Sequence, residues 1–310
     1  MGGVDATMRV ERIEKWVYFY AAGADTGSFL ARLASYAVDT LADGHGSRAF
    51  ILSARGKIQV GFECYRLNSA AHILCCHAEQ AETFTRLLDM YHFGEDFELC
   101  PMDVTQAYFT AGTADQEPLS QFHIGDMNAL DYAARTCRFR DRDYRVLKTA
   151  RYGHPVYMIA PVAEGPDPLL AEFSLIHQTD IGFDHLEYER IAHCIPSAPN
   201  EFIDTYTPLD IGALDGITDG KGCYPGQEVI ERTIALGRPS MKLVAVSAQT
   251  RLKMNQDVSH DGRVVGRITS CVNTGETASI GLAVLKYRSA DLESWTIADG
   301  DLKKRPLSSE

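Results

Sequence analysis

Residues 220–228 read Gly220-Lys221-Gly222-Cys223-Tyr224-Pro225-Gly226-Gln227-Glu228. Three glycines and a proline in nine positions dictate a sharp turn with exposed backbone, and positive φ angles are expected at the glycines. The same stretch carries an ammonium, a thiol, a phenol, a carboxamide and a carboxylate. A plain connector has no use for so many different groups. Cys223 is the candidate reactive residue, because Lys221 beside it and free backbone N–H groups favour the thiolate. On spacing alone, a small packing residue next to a tight turn accounts for Cys223 equally well.

Downstream, the texture changes after Arg238-Pro239. Lys242 to Ser247, Arg263 to Thr269 and Ser279 to Leu285 are short apolar runs separated by Gly, Asn and Asp turns. They predict a small all-β barrel, with a boundary near Gly237 and a frayed tail from Leu302 onward. Upstream, Trp16 to Ala21 is an aromatic and β-branched run that predicts a strand. Asp25 stands at an N-cap position, and Phe29, Leu30, Leu33 and Tyr36 follow on one helical face. Ala49 to Ser53 predicts a strand, Arg55-Gly56-Lys57 a turn, and the alternation of Ile58, Val60, Phe62 and Cys64 a half-buried strand. Ala71 to Cys76 predicts another strand, and Ala78 to Tyr91 a helix. Signals weaken from Ala111 to Asp131. Tyr144 to Leu147 and Pro155 to Ala160 predict strands, and Asp184 to His193 a helix. Together these elements predict an α+β region with a sheet covered on one face, followed by the barrel.

Composition sets bounds. With 310 residues, 45% of them hydrophobic, the chain can bury a substantial core and form about two domains. The formal net charge of -12 repels phosphate backbones and anionic lipid heads, so generic nucleic-acid or membrane binding is not expected. Eight cysteines occur without a Cys-x-x-Cys pair, and they are expected to be reduced thiols. Met1 to Lys15 lacks an apolar segment and carries three acidic residues, and no run reaches the ~20 apolar residues that span a bilayer. The expected compartment is the cytoplasm, or alternatively a mitochondrial matrix. The histidines show no metal-ligand spacing, and no metal site is expected.

Lys221-Gly222-Cys223-Tyr224-x-Gly226-Gln227-Glu228 resembles the signature of the YgfZ-type folate-binding family, which supports iron–sulfur proteins. The similarity extends over most of the chain. Gly23-Ala24-Asp25, Arg55-Gly56-Lys57-Ile58, Glu189-Arg190 before Ile195-Pro196, Asn200-Glu201, Tyr206-Thr207-Pro208, Thr233, Leu236-Gly237-Arg238 and Gly266-Arg267-Ile268-Thr269-Ser270 resemble corresponding stretches of the family. The resemblance implies an aminomethyltransferase-like fold: three lobes around a central hole, two of them interleaved α+β lobes within residues 1–237, and a C-terminal barrel over 238–310.

It further implies that the chain binds tetrahydrofolate or a related reduced folate and assists iron–sulfur cluster assembly or repair. Iron–sulfur carrier or client proteins would then be its partners. Cys223 and Lys221 are the implied reactive pair. Glu201 is implied to hold the pterin edge, since a carboxylate accepts two N–H bonds from an aminopyrimidine. Tyr224, Glu228, Arg232 and Arg238 complete the candidate folate set, with the arginines suited to the anionic glutamate end. Two departures stand out. Cys194 occupies the place of a frequent family glycine before the Ile-Pro step. The hairpin stretch Lys57-Ile58-Gln59-Val60-Gly61 lacks the carboxylate that aminomethyltransferases carry there, so aminomethyl transfer is not expected. A folate-dependent one-carbon transferase and a non-enzymatic interaction scaffold stand as the alternatives.

Overall fold

The computed structural model describes residues 8–10, 15–104, 107–111, 119–163, 183–275 and 277–306. The chain divides into two compact units, one of Met1–Ala31, Ala37–Arg48 and Phe62–His185, the other of Arg32–Tyr36, Ala49–Gly61 and Leu186–Glu310. The division falls inside four elements, helices α1 and α3 and strands β3 and β4 below.

In the first unit, β1 (Met8–Val10) and β2 (Trp16–Ala22) precede helix α1 (Thr26–Leu33). Strands β3 (Gly46–Leu52), β4 (Ile58–Asn68) and β5 (Ala71–His77) lead to helix α2 (Ala81–Tyr91) and β6 (Glu98–Pro101). They form an antiparallel sheet in the order β3-β4-β5-β2-β6. Helix α2 buries Phe84, Leu87 and Leu88, and the Phe84 ring sits 5.0 Å from Phe62 and 5.9 Å from Phe19. A second sheet adds β7 (Tyr108–Ala111), β8 (Ala133–Phe139), β9 (Arg142–Thr149) and β10 (Val156–Pro161) in the order β1-β7-β10-β9-β8. Its core joins Tyr144, Val146, Tyr157 and Ile159 to Leu119, Phe122 and Met127 from two short 3-10 turns.

The alternation in β4 predicts a half-buried strand, but every residue from Val60 to Tyr65 is buried. The reason is Glu63, a residue of the face expected to meet water. Its carboxylate accepts from Thr149 Oγ1 at 2.8 Å, from Tyr65 Oη at 2.6 Å and from Arg151 Nε at 2.8 Å, and Arg151 Nη2 closes the ion pair. The guanidinium lies 3.5 Å from the Trp16 ring centroid, and its Nη2 is 3.3 Å from Cys75 Sγ. A buried charge pair of this kind persists only when well hydrogen-bonded, and here both oxygens of the Glu63 carboxylate accept two bonds each.

In the second unit, helix α3 (Phe183–Ala192) is followed by an irregular stretch and helix α4 (Gln227–Leu236). The chain then forms β11 (Met241–Ala248), β12 (Asp257–His260), β13 (Arg263–Asn273), β14 (Ser279–Lys286), β15 (Ser294–Ile297) and β16 (Gly300–Lys304). These strands close a barrel in the order β11-β14-β13-β12-β15-β16. The tail expected from Leu302 is instead barrel wall: Leu302 is wholly buried and pairs with Ala248 and Trp295. Barrel residues Leu243, Ala245, Leu282 and Val284 share a core with Phe50, Ile58, Phe202, Tyr206, Tyr224 and Ile230. Among the described residues, no helix is long and apolar enough to cross a membrane.

Candidate functional site

The turn expected at residues 220–226 leads directly into α4. Gly226 adopts φ 81° at the helix N-cap, and Gly220 adopts φ 67°. A side chain at Gly226 would run into the Ser53 carbonyl and the backbone of Gly56, itself at φ 71°. Two glycines therefore let the loop lie against the turn between β3 and β4. Lys221 Nζ donates to the carbonyls of Ala34 at 2.5 Å and Tyr36 at 3.0 Å, and lies 5.1 Å from the Tyr224 ring centroid. Gln227 Nε2 donates to the Lys221 carbonyl at 3.1 Å and to Glu231 Oε1 at 2.5 Å. Tyr224 is buried in the core, and burial pushes its phenol up to about 12.

The result is a pinned loop that leaves Cys223 exposed. Burial pushes the thiols of Cys64, Cys75 and Cys194 up to about 12, with smaller contributions from neighbours for the latter two. Those thiols stay protonated at neutral pH, whereas Cys223 is open to a reagent or metal in solution. Lys221 positions the loop through two carbonyls, a role that spacing does not reveal.

Glu201 is fully buried. Its Oε1 accepts from Ser270 Oγ at 2.7 Å, and its Oε2 from the Ser197 N–H at 3.0 Å and Arg190 Nη1 at 3.3 Å. Arg190, equally buried, also pairs with Glu187 at 2.8 Å and donates to the Ile195 carbonyl at 2.7 Å. A carboxylate offers about four lone-pair sites, and three are taken here. Nearby, the N–H of Cys194 donates to the Ile191 carbonyl and that of Ile195 to the Arg190 carbonyl, both paired as in a Schellman motif. Cys194 occupies its left-handed position with φ 57°, the position that a glycine takes most easily. Among the described residues, no group of three or more His, Cys, Asp or Glu side chains is placed to hold a metal ion.

Glu228 is exposed in the first turn of α4, where a carboxylate suits the helix dipole, and Arg232 is exposed further along the same helix. Arg238 follows the Gly237 cap and lines a cavity of about 800 Å³, with Val229 and Thr233 of α4 in its wall. Arg55, Lys57, Lys286 and Arg288 line the same cavity, and so does Asp210. The Asp210 carboxylate is already occupied by Ser240 Oγ, the N–H groups of Thr207 and Met241, and Lys57. Of the candidate folate and thiol residues named from the sequence, Arg238 alone lines this cavity. The other cations come from turns about 180 and 50 residues away, and no spacing pattern connects such positions.

No family model matches the chain. It is 27% identical over 109 residues to the tRNA-modifying protein YgfZ of Vibrio atlanticus, an alignment that covers 32% of this chain and 34% of the relative. The chain is a distant relative of the YgfZ-type proteins. It is also 20% identical over 304 residues to a chloroplastic protein of Arabidopsis thaliana named as a candidate transferase, covering 90% of this chain and 66% of that relative. The chain thus spans just under two thirds of the length of the Arabidopsis protein. The solved structure of the glycine cleavage system aminomethyltransferase T from Bartonella henselae superposes with a TM-score of 0.78 at 16% identity, over 97% of this chain and 86% of that one. The fold is that of the aminomethyltransferases, with a closed six-stranded barrel at the C-terminal end.

Proposed function

We propose that the chain binds a reduced folate, tetrahydrofolate or a close derivative, and assists the assembly or repair of iron–sulfur clusters, with Cys223 as the working thiol. The observation that carries this reading is the pinned signature loop, which holds Cys223 exposed on a chain of aminomethyltransferase fold. In this reading Lys221 and Gln227 hold the loop, and the exposed Cys223 sulfur ligates iron in transit to a carrier or client protein. Tyr224, Glu228, Arg232 and Arg238 belong to the folate set. Glu201 offers the pterin edge its remaining acceptor site, since three are committed to Arg190, Ser197 and Ser270. The proposed compartment is reducing, in keeping with eight free thiols.

Aminomethyl transfer is not part of the proposal. Lys57 to Gly61 holds no carboxylate, and a missing general acid–base group costs about 10²–10⁴-fold in rate. The test joins two measurements on the full chain. Calorimetry with tetrahydrofolate is expected to show saturable one-site binding. Cys223→Ser is expected to fold and bind folate normally, yet fail to restore iron–sulfur enzyme activity in cells lacking the protein. Full complementation by Cys223→Ser removes the thiol from the mechanism, and absence of folate binding removes the cofactor.

A further inference from the structure

The cation-lined cavity beside α4 is not explained by the thiol loop. Five cationic side chains face it, Arg55, Lys57, Arg238, Lys286 and Arg288, against the single carboxylate of Asp210. That carboxylate is spent. Burial works to raise its pKa, but hydrogen bonds from Thr207, Met241 and Ser240 outweigh burial and hold it below the ordinary carboxylate range. Lys57 pairs with Asp210 at 3.4 Å, and Lys286 Nζ donates to the Val264 carbonyl at 3.2 Å. Among the described residues, the guanidinium groups of Arg55, Arg238 and Arg288 have no hydrogen-bond or ion-pair partner. Three unpaired guanidinium groups at one cavity repel each other, in a chain whose formal net charge is -12 and which has carboxylates to spare.

We propose that this cavity binds the phosphate groups of a small ligand that carries two or more of them, of the nucleoside di- or triphosphate class. Charge, and its concentration on adjacent tetrahedral groups, decides between anions. A single carboxylate neutralises one of the five cations, whereas a diphosphate brings about three negative charges and enough oxygens for several guanidinium forks. The volume of about 800 Å³ lies within the range of small-ligand sites and exceeds what a lone phosphate needs. Tyr287, Val229 and Pro239 supply an apolar side for a flat ring, and the hydroxyls of Thr233 and Ser289 add polar contacts. The formal net charge of -12 disfavours a nucleic-acid backbone in the same place, because a long polyanion is repelled by the chain as a whole.

The cavity shares Arg238 with the proposed folate set but not its other four cations, and the test separates the two. The full-length protein is titrated with inorganic pyrophosphate, ADP, citrate and a single-stranded RNA, at low and high salt. Pyrophosphate and ADP are expected to bind, more weakly at high salt, and citrate at least tenfold more weakly. Arg288→Gln and Arg55→Gln, both at exposed positions, are expected to keep the wild-type melting temperature and lower pyrophosphate affinity about tenfold. Their tetrahydrofolate titration is expected to match that of the wild type. Equal binding of citrate makes this a carboxylate site and overturns the proposal. Displacement of pyrophosphate by tetrahydrofolate assigns the cavity to the folate tail and overturns it as well. Binding of neither pyrophosphate nor ADP, or of RNA alone, does the same. A protein that binds pyrophosphate but not tetrahydrofolate refutes the folate reading and leaves this one standing.

Discussion

Position 194 sets a side chain at φ 57°, at the end of α3, where the chain turns back through a Schellman motif. A left-handed residue with a Cβ costs about 1 kcal/mol or more, because the Cβ approaches the following carbonyl oxygen. The Cys194 thiol offsets part of that cost by packing against the core around Tyr206 and Leu243. Comparing two substitutions separates the terms. Cys194→Ala keeps the strain and loses the sulfur, whereas Cys194→Gly loses both. Cys194→Gly is therefore expected to be more stable than Cys194→Ala by about 1 kcal/mol, read from urea unfolding midpoints. Equal stability of the two variants removes strain from the account. The sequence shows a cysteine there, but only the φ angle says why its side chain matters. Glu201 teaches the converse. Residue type makes it a ligand candidate, while its burial beside Arg190 depends on partners 11 and 69 residues away.

At the level of elements, α4 and its approach show how a motif becomes a rigid presentation. Gly226 and Gly220 both have positive φ, yet their surroundings differ. A Cβ at Gly226 meets the Ser53 carbonyl and comes within 2.9 Å of Gly56 backbone atoms, whereas one at Gly220 meets nothing within 4 Å. Gly220→Ala is expected to cost about 1 kcal/mol, from backbone strain alone. Gly226→Ala adds a collision with backbone that no rotamer change relieves, and is expected to cost at least about 2 kcal/mol more. Denaturant unfolding of the two variants measures the difference, and equal losses refute close packing of the loop on the β3–β4 turn. The glycines and the turn itself are legible in the sequence, because glycine spacing reports backbone requirements directly. The helix that follows is not, since Gln227 to Leu236 has a core contact at Ile230 but several exposed apolar residues. Strand β16 is hidden for a related reason. Gly300 to Lys304 has one apolar side chain, Leu302, and owes its extended form to pairing with β11 and β15.

For the molecule as a whole, acid is the condition that tests how its stability is distributed. His72 lies wholly buried in β5, and neither ring nitrogen has a hydrogen-bond partner among the described residues. Burial is the main cause that lowers its pKa from 6.5 to about 4; nearby Arg66 lowers it further, and Asp43 works the other way. The folded form holds His72 neutral, while the unfolded chain takes up a proton below about pH 6.5. The unfolded state thus binds more protons between those two values, so stability falls as pH drops from about 6.5 to about 4. The drop amounts to about 3 kcal/mol at most, at 1.36 kcal/mol for each pKa unit. Asp210 acts in a different window. Its folded pKa is depressed, so its contribution is present above the unfolded value and is lost only as pH falls below the ordinary carboxylate range. The two effects can therefore be separated by range. Urea unfolding at several pH values between 4 and 7 is expected to show a falling stability in the wild type. His72→Leu, which fits a buried strand position without a titrating group, is expected to flatten the curve in that range while leaving the steeper loss below pH 4 intact. A His72→Leu curve that keeps the wild-type slope between pH 4 and 6.5 shifts the acid sensitivity to other groups and refutes the assignment to His72.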